Sequence, residues 1–153
     1  MIIHALIGGL IGSYSHSVIL IIILCILSHI LMDIFPHWDG PFDRALFYSK
    51  GEVKVEKIQI ILHFFDLIFS LLIIIILYLE FDNSLIILGG FVSIFPDIIK
   101  IGYFTRLRKS NWYMRHLKFH SKIQNEVNWK LGLITQAVIL ISMIILFINH
   151  KPY

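Results

Sequence analysis

Long apolar runs separated by polar breaks dominate the sequence. Four strong runs cover residues 17–35, 58–79, 84–99 and 131–148, and a weaker, glycine-rich run covers residues 2–13. A helix rises about 1.5 Å per residue, so about 20 apolar residues cross the hydrocarbon core of a membrane. The pattern therefore predicts an all-α, polytopic membrane bundle with four strong transmembrane helices and a short fifth helix at the N-terminus.

Two of these runs are shorter than a full crossing. Run 84–99 has 16 residues, so we expect its helix to continue past its own polar end. Run 2–13 has about half the crossing length, and it predicts either a short helix or a re-entrant one whose ends are covered by protein. Its start, "MIIHALIGGLIGS", has neither the basic region nor the cleavage site of a signal peptide, so we expect it in the mature protein.

Composition supports a membrane protein of one domain. The chain has 153 residues, of which 58% are hydrophobic and 15% are charged, and its mean hydropathy is +0.82. Soluble domains average about 25% charged residues. We therefore expect one transmembrane domain over residues 1–153, with any chemistry built from the bundle and its loops. The single Cys25 excludes an internal disulfide and argues against a cysteine zinc cluster.

A long polar stretch, residues 100–130, precedes the last apolar run. Within it, "NWYMRHLKFHSKIQNEVNW" interleaves aromatic and basic side chains. Trp and Tyr are favoured at membrane interfaces, and basic residues there contact lipid headgroups. The stretch predicts an amphipathic segment on the membrane surface.

The basic residues are distributed asymmetrically. If each strong run crosses once, loop 36–57 and stretch 100–130 share one face, which then holds 12 of the 13 Lys and Arg residues: Arg44, Lys50, Lys54, Lys57, Lys100, Arg106, Arg108, Lys109, Arg115, Lys118, Lys122 and Lys130. The positive-inside rule makes this face cytoplasmic. We expect the membrane to be of the prokaryotic inner-membrane type. We attribute the net charge of +3 to topology and to contact with anionic membrane lipids rather than to nucleic acid, because no recognition motif accompanies it.

Possible metal ligands are placed where the first strong run ends, in "SHILMDIFPHWD". His29 and Asp33 are spaced i,i+4 and therefore share one helix face. Pro36 ends the helix, so His37 and Asp39 lie beyond it and only border this pair.

The other ionisable residues of the spans fall at a similar depth on the same side. His63 and Asp66 lie near the start of the next run, Asp97 follows Pro96 at the end of run 84–99, and His120 belongs to the basic stretch. His4 joins this level if the first run crosses. We therefore expect these groups to converge on the cytoplasmic side.

Such a gathering suggests a metal site. An ionisable group within a membrane span costs at least about 2.5 kcal/mol, so it usually has a partner or a task. His and Asp are suitable ligands for zinc, with manganese or iron as alternatives, and three protein ligands plus a water make a catalytic site. A bound divalent metal lowers the pKa of that water towards about 7.

The order of the motifs "HALIGGLIGS", "SHILMDIFPHWD", "GGFVSIFPDI" and "HLKFHSKI" resembles the small polytopic membrane-bound metal-dependent hydrolases. The resemblance covers nearly the whole chain, and it implies the metal ligands His4, His29, Asp33, Asp97 and His120. Asp66 lies in none of these motifs and enters as a sixth candidate ligand through its predicted burial alone.

The leading hypothesis is a metal-dependent hydrolase at the cytoplasmic membrane surface. Asp33 and Asp66 are the candidate catalytic residues, with Asp66 either a ligand or the base that orients water. The expected substrate is anionic or lipid-like, such as a phosphoester or a lipid headgroup, because basic residues nearby would hold an anion: Arg106, Arg108, Lys109 and Arg115.

Two other functions stay open. A structural or partner-binding membrane protein would use a metal or a hydrogen-bonded His/Asp cluster to lock its helices. A proton or metal transporter would need polar groups through the whole bundle, and outer segments such as "VILIIILCI" and "LLIIIILYL" supply almost none.

Overall fold

A computed structural model describes residues 1–38, 47 and 57–149, and all regular elements in these ranges are helices. They are α1 (Ile2–Tyr14), α2 (Val18–Ile34), α3 (Lys57–Phe81), α4 (Ser84–Ile99), α5 (Asn111–Ile123) and α6 (Trp129–Asn149), with 3-10 turns at Lys100–Phe104 and Arg106–Lys109. The prediction of an all-α fold is confirmed for the described residues.

Helix lengths divide the apolar helices into two groups. Among the described residues, α3 with 25 residues and α6 with 21 are long and apolar enough to cross a membrane. The other apolar helices, α1, α2 and α4, have 13, 17 and 16 residues. The prediction of four strong transmembrane helices is therefore not confirmed: two of the described helices have the length and composition to cross a membrane. The 3-10 turn that begins at Lys100 continues α4 past its polar end.

Local sequence signals determine several helix ends. The Ser17 hydroxyl accepts the Leu20 N–H at the start of α2, and Asn83 Oδ1 accepts the Leu85 N–H at 3.0 Å at the start of α4. Asp82, at φ 46°, makes the tight turn that folds α4 back along α3.

The first helix lies at the centre of the bundle, although its apolar run is the weakest. It contacts α2, α3, α4 and α6. Glycine makes its contact with α4 possible: a Cβ on Gly8 would overlap the Gly89 carbonyl, one on Gly89 would overlap the Gly8 carbonyl, and one on Gly12 would overlap the Leu85 carbonyl. This close approach places His4, one turn before Gly8, beside the last turns of α4.

The outer faces of the helices are strongly apolar. Ala5, Ile74 and Ile94 form a small buried core, whereas Ile19 and Leu79 expose 71% and 72% of their surface. Extended apolar surfaces of this kind are typical of contact with a membrane.

The fifth helix, α5, is amphipathic, and it is shorter than the amphipathic segment predicted from "NWYMRHLKFHSKIQNEVNW". It ends at Ile123. Tyr113 and Leu117 are buried, and the Tyr113 hydroxyl donates to the Ile99 carbonyl at 2.8 Å. The inner face of α5 is thereby attached to the end of α4.

A short extended pairing follows α5. The Asn125 N–H donates to the Asp33 carbonyl at 2.8 Å. The His37 N–H donates to the Asn125 backbone carbonyl at 3.1 Å, and the Val127 N–H donates to the His37 backbone carbonyl at 3.0 Å. These bonds join the end of α2 to the segment after α5, so α5 lies next to α2.

Candidate metal centre

Five side chains from four helices converge at one end of the bundle. His4 comes from the first turn of α1, His29 and Asp33 from the end of α2, Asp97 from the end of α4 and His120 from α5. All are buried except His4, whose side chain is 11% exposed. Their donor atoms make two groups, each within 4.8 Å: His4, His29 and Asp33, and His29, Asp97 and His120. Five of the six predicted ligands therefore lie together.

The Asp33 carboxylate faces three imidazoles. Its Oδ1 lies 3.4 Å from His4 Nε2, and its Oδ2 lies 3.5 Å from His29 Nε2 and 3.4 Å from His120 Nε2. The Asp97 carboxylate is slightly farther away, with Oδ2 4.0 Å from His4 Nε2 and Oδ1 3.9 Å from His120 Nε2. Three imidazoles and two carboxylates therefore surround one small space.

His29 is oriented by the backbone of α4. Its Nδ1 lies 2.7 Å from the Ser93 carbonyl, which only accepts hydrogen bonds, so Nδ1 carries the proton. In the neutral ring Nε2 then carries the lone pair, and it lies 3.0 Å from His120 Nε2. Two nitrogen lone pairs at this distance repel each other unless a proton or a metal cation lies between them.

The donor set fits a divalent cation. Six distances between donors in the cluster lie between 3.0 and 4.0 Å, and each group of three donors lies within 4.8 Å. Metal bonds of about 2.0–2.2 Å in tetrahedral geometry place neighbouring donors about 3.3–3.6 Å apart. The bond from His29 Nδ1 to a backbone carbonyl is the outer-shell contact usual for a metal-binding histidine. Imidazole and carboxylate together suit zinc, manganese or iron.

Burial keeps His120 neutral. It lowers the pKa of the imidazole to about 4, and the nearby Lys100 ammonium adds to this effect. Near pH 7 the ring therefore has a free lone pair, which is the form that binds a metal. The Nδ1 atoms of His4 and His120 are buried and have no hydrogen-bond partner among the described residues.

Two cationic groups adjoin Asp97, and sequence reasoning missed the contacts of both. Lys100 Nζ lies 2.7 Å from Asp97 Oδ1, and the Met1 ammonium lies 4.0 Å from Asp97 Oδ2. The i,i+3 spacing of Asp97 and Lys100 was a visible signal for the first contact. No sequence pattern reveals the contact of the Met1 ammonium with Asp97 or the hydrogen bond of His29 to the Ser93 carbonyl.

The structure does not place Asp66 with the other candidate ligands. Asp66 Oδ2 lies 2.8 Å from the Met1 ammonium, and Oδ1 accepts the Ile2 N–H at 3.1 Å. Neither group of converging donors includes it. Asp66 therefore attaches the start of α1 to α3, and its predicted role as ligand or base has no support from this position.

The other histidines that the structure describes lie outside both donor groups. His37 Nδ1 bonds to the Phe35 carbonyl at 2.8 Å, and His63 Nδ1 bonds to the Gln59 carbonyl at 2.9 Å. His116 stacks on Trp112. His37 takes part in the pairing after α5, and Asp39 lies outside the described residues.

Comparison with known proteins adds no assignment. The chain matches no family model, and neither curated proteins nor solved structures match it. The geometry of the His/Asp cluster and the apolar surface around it are therefore the features that bear on function.

Proposed function

We propose that this protein is a metal-dependent membrane hydrolase that holds one or two divalent cations, preferentially zinc, in the converging cluster His4, His29, Asp33, Asp97 and His120. The observation that carries the proposal is the 3.0 Å approach of His29 Nε2 to His120 Nε2 beside two buried carboxylates. The motif order that resembles membrane-bound metal-dependent hydrolases agrees with this ligand set.

The cluster belongs at a membrane surface. We propose that α2 and α4 cross together with α3 and α6, because their 17 and 16 residues extend about 24–26 Å and polar residues at their ends add to the span. Asp33 and Asp97 lie in the last turn of their helices, beside the residues that lead into the basic stretch. By the positive-inside rule this end is cytoplasmic. The resemblance to membrane-bound hydrolases supports a membrane of the prokaryotic inner-membrane type.

The side chains of the cluster have separable roles. A divalent cation held here would supply Lewis acidity towards a phosphoester oxygen and an activated water near neutral pH. The two oxygens of Asp33 lie 3.4–3.5 Å from nitrogens of three imidazoles, and Asp33 is the residue of the cluster that would accept a proton. Lys100, bonded to Asp97 at the edge of the site, contributes positive charge that favours an anionic substrate such as a phosphoester or a lipid headgroup.

Metal analysis of purified protein tests the proposal. Wild type in detergent should contain zinc, manganese or iron at no less than one atom per chain. His29→Ala and Asp33→Asn should each lose most of it, because each removes a buried donor. His16→Ala is the matched control, since His16 is exposed and outside both donor groups. Metal-dependent hydrolysis of an aryl phosphoester should follow the metal content.

A second candidate is a non-catalytic bundle locked by a hydrogen-bonded His/Asp cluster. It is favoured by Lys100 and the Met1 ammonium, which already supply positive charge to the Asp97 carboxylate. Metal-free wild type that is stable, together with an Asp33→Asn variant that is destabilised but shows no change in metal content, would establish this candidate and exclude the hydrolase.

A further inference from the structure

The segment that leads from α4 through α5 has an unusual charge pattern. Between Asp97 and Glu126 the sequence has seven Lys and Arg residues and no Asp or Glu. Cations spaced this closely repel one another, so such a segment is stabilised by an anionic partner.

Several of these basic residues are exposed, and two exposed aromatic rings lie near them in the sequence. The 3-10 turn Arg106–Lys109, which carries three of the cations, contacts α5. We define the basic aromatic face by six exposed residues: Arg106, Arg108, Lys109, Trp112, Arg115 and Phe119. Trp112 exposes 71% of its surface and Phe119 exposes 60%. On α5, positions 112, 115 and 119 recur every three to four residues, so their side chains share one side of the helix.

The opposite side of α5 faces the protein. Tyr113, Leu117 and His120 are buried, with Tyr113 bonded to the end of α4 and His120 in the metal-ligand cluster. The helix therefore carries one candidate ligand inward and the basic aromatic face outward. A helix is about 10 Å wide, so the two sides are about one helix diameter apart.

Exposed Trp and Phe beside cations indicate a membrane surface. Trp is favoured at the depth of lipid headgroups, and Lys and Arg there meet phosphate. The segment is also continuous with apolar helices on both sides, since α4 ends at Ile99 and α6 begins at Trp129. RNA also accepts stacking aromatics and cations, but the position between two apolar helices favours a bilayer.

We propose that the basic aromatic face binds the headgroups of anionic phospholipids and so holds α5, with His120 on its inner side, over the site. The proposal does not depend on catalysis, because it rests on the exposed side of α5.

Quenching of tryptophan fluorescence by brominated lipids tests it. The protein is reconstituted in nanodiscs of phosphatidylcholine with brominated phosphatidylglycerol or with brominated phosphatidylcholine at equal bromine content. The part of the quenching that disappears in Trp112→Phe comes from Trp112 and therefore reports on this face. We expect brominated phosphatidylglycerol to quench Trp112 at least twofold more than brominated phosphatidylcholine does. This preference for phosphatidylglycerol should be lost in Arg106→Gln/Arg108→Gln. The charge-matched control Lys57→Gln/Lys130→Gln keeps the preference.

Three results would overturn the proposal: equal quenching by the two lipids, no quenching assigned to Trp112, or an unchanged preference in Arg106→Gln/Arg108→Gln. Tight binding of a labelled RNA oligonucleotide without a lipid preference would assign the face to nucleic acid instead. Metal content is measured on the same samples. A wild type without metal that still prefers phosphatidylglycerol would refute the hydrolase and leave this proposal standing.

Discussion

His29 occupies a position in which both ring nitrogens are committed. One nitrogen donates to the backbone of α4, so the other must face His120 and the Asp33 carboxylate. A buried carboxylate surrounded by imidazoles is stable only when protons or a metal cation balance the set. At the scale of single residues, the direction in which each ring nitrogen and carboxylate oxygen points therefore decides whether the cluster can bind a cation. The presence of ionisable residues alone does not.

The Asp66→Asn variant tests whether Asp66 is a metal ligand or a structural residue. Because Asp66 bonds to Met1 and Ile2 rather than to the cluster, we expect the variant to keep its full metal content. Loss of the charge pair, which is partly exposed, should lower the free energy of unfolding by about 1 kcal/mol. Cys25, the single cysteine, is buried and becomes reactive on unfolding, so a thiol-reactive dye measures this change. A metal-free Asp66→Asn protein of normal stability would instead restore Asp66 as a ligand.

At the scale of elements, the packing of α1 on α4 determines where His4 lies. The two helices approach so closely that backbone meets backbone at Gly8, Gly12 and Gly89. Because no side chains separate the two backbones there, the position of α1 on α4 directly sets the distance from His4 to Asp97. The glycines therefore influence the cluster although none contributes a donor.

Gly89→Ala should destabilise the protein strongly. Its Cβ would overlap the Gly8 carbonyl, and overpacking of this kind typically costs about 1–3 kcal/mol. Gly9→Ala is the matched control, because its Cβ would meet side-chain methyl groups rather than backbone, Leu77 at 3.0 Å and Ile86 at 3.5 Å, and alanine favours the helix. Unfolding measured through Cys25, together with metal content, checks both. Equal stability of the two variants would contradict the close packing of α1 on α4.

At the scale of the whole molecule, the cluster and the basic segment lie at the same end of the bundle. The turn at Asp82 folds α4 back along α3, so the start of α3 at Lys57 and the end of α4 at Ile99 lie on the same side. Membrane insertion would then place Asn83 on the opposite side from Lys109.

Cysteine labelling tests this arrangement. In a Cys25→Ala background, a membrane-impermeant maleimide should label Asn83→Cys in intact cells from which any outer membrane has been removed. It should label Lys109→Cys only after the inner membrane is opened, because that face is predicted to be cytoplasmic. Labelling of both positions in intact cells would exclude the proposed topology.

The sequence predicted the helices better than their arrangement. Hydropathy located the helix ends within about two residues, since apolar runs stop at signals such as Ser17, Asn83 and Pro36. The same hydropathy underestimated α1, because glycine contributes little to an apolar pattern while permitting the closest packing. The role of Asp66 was hidden for a different reason: its partner is the amino group of Met1, which no spacing reveals.

The backbone pairing between Asn125 and the end of α2 affects how quickly α5 returns to the bundle after it separates. Only four residues separate His120 from Asn125, whose N–H donates to the carbonyl of Asp33. This arrangement is a short tether, which keeps the imidazole at a high local concentration near its carboxylate even when α5 separates from the bundle. Departure of α5 would then be brief, and its return would not require the chain to search for the site again.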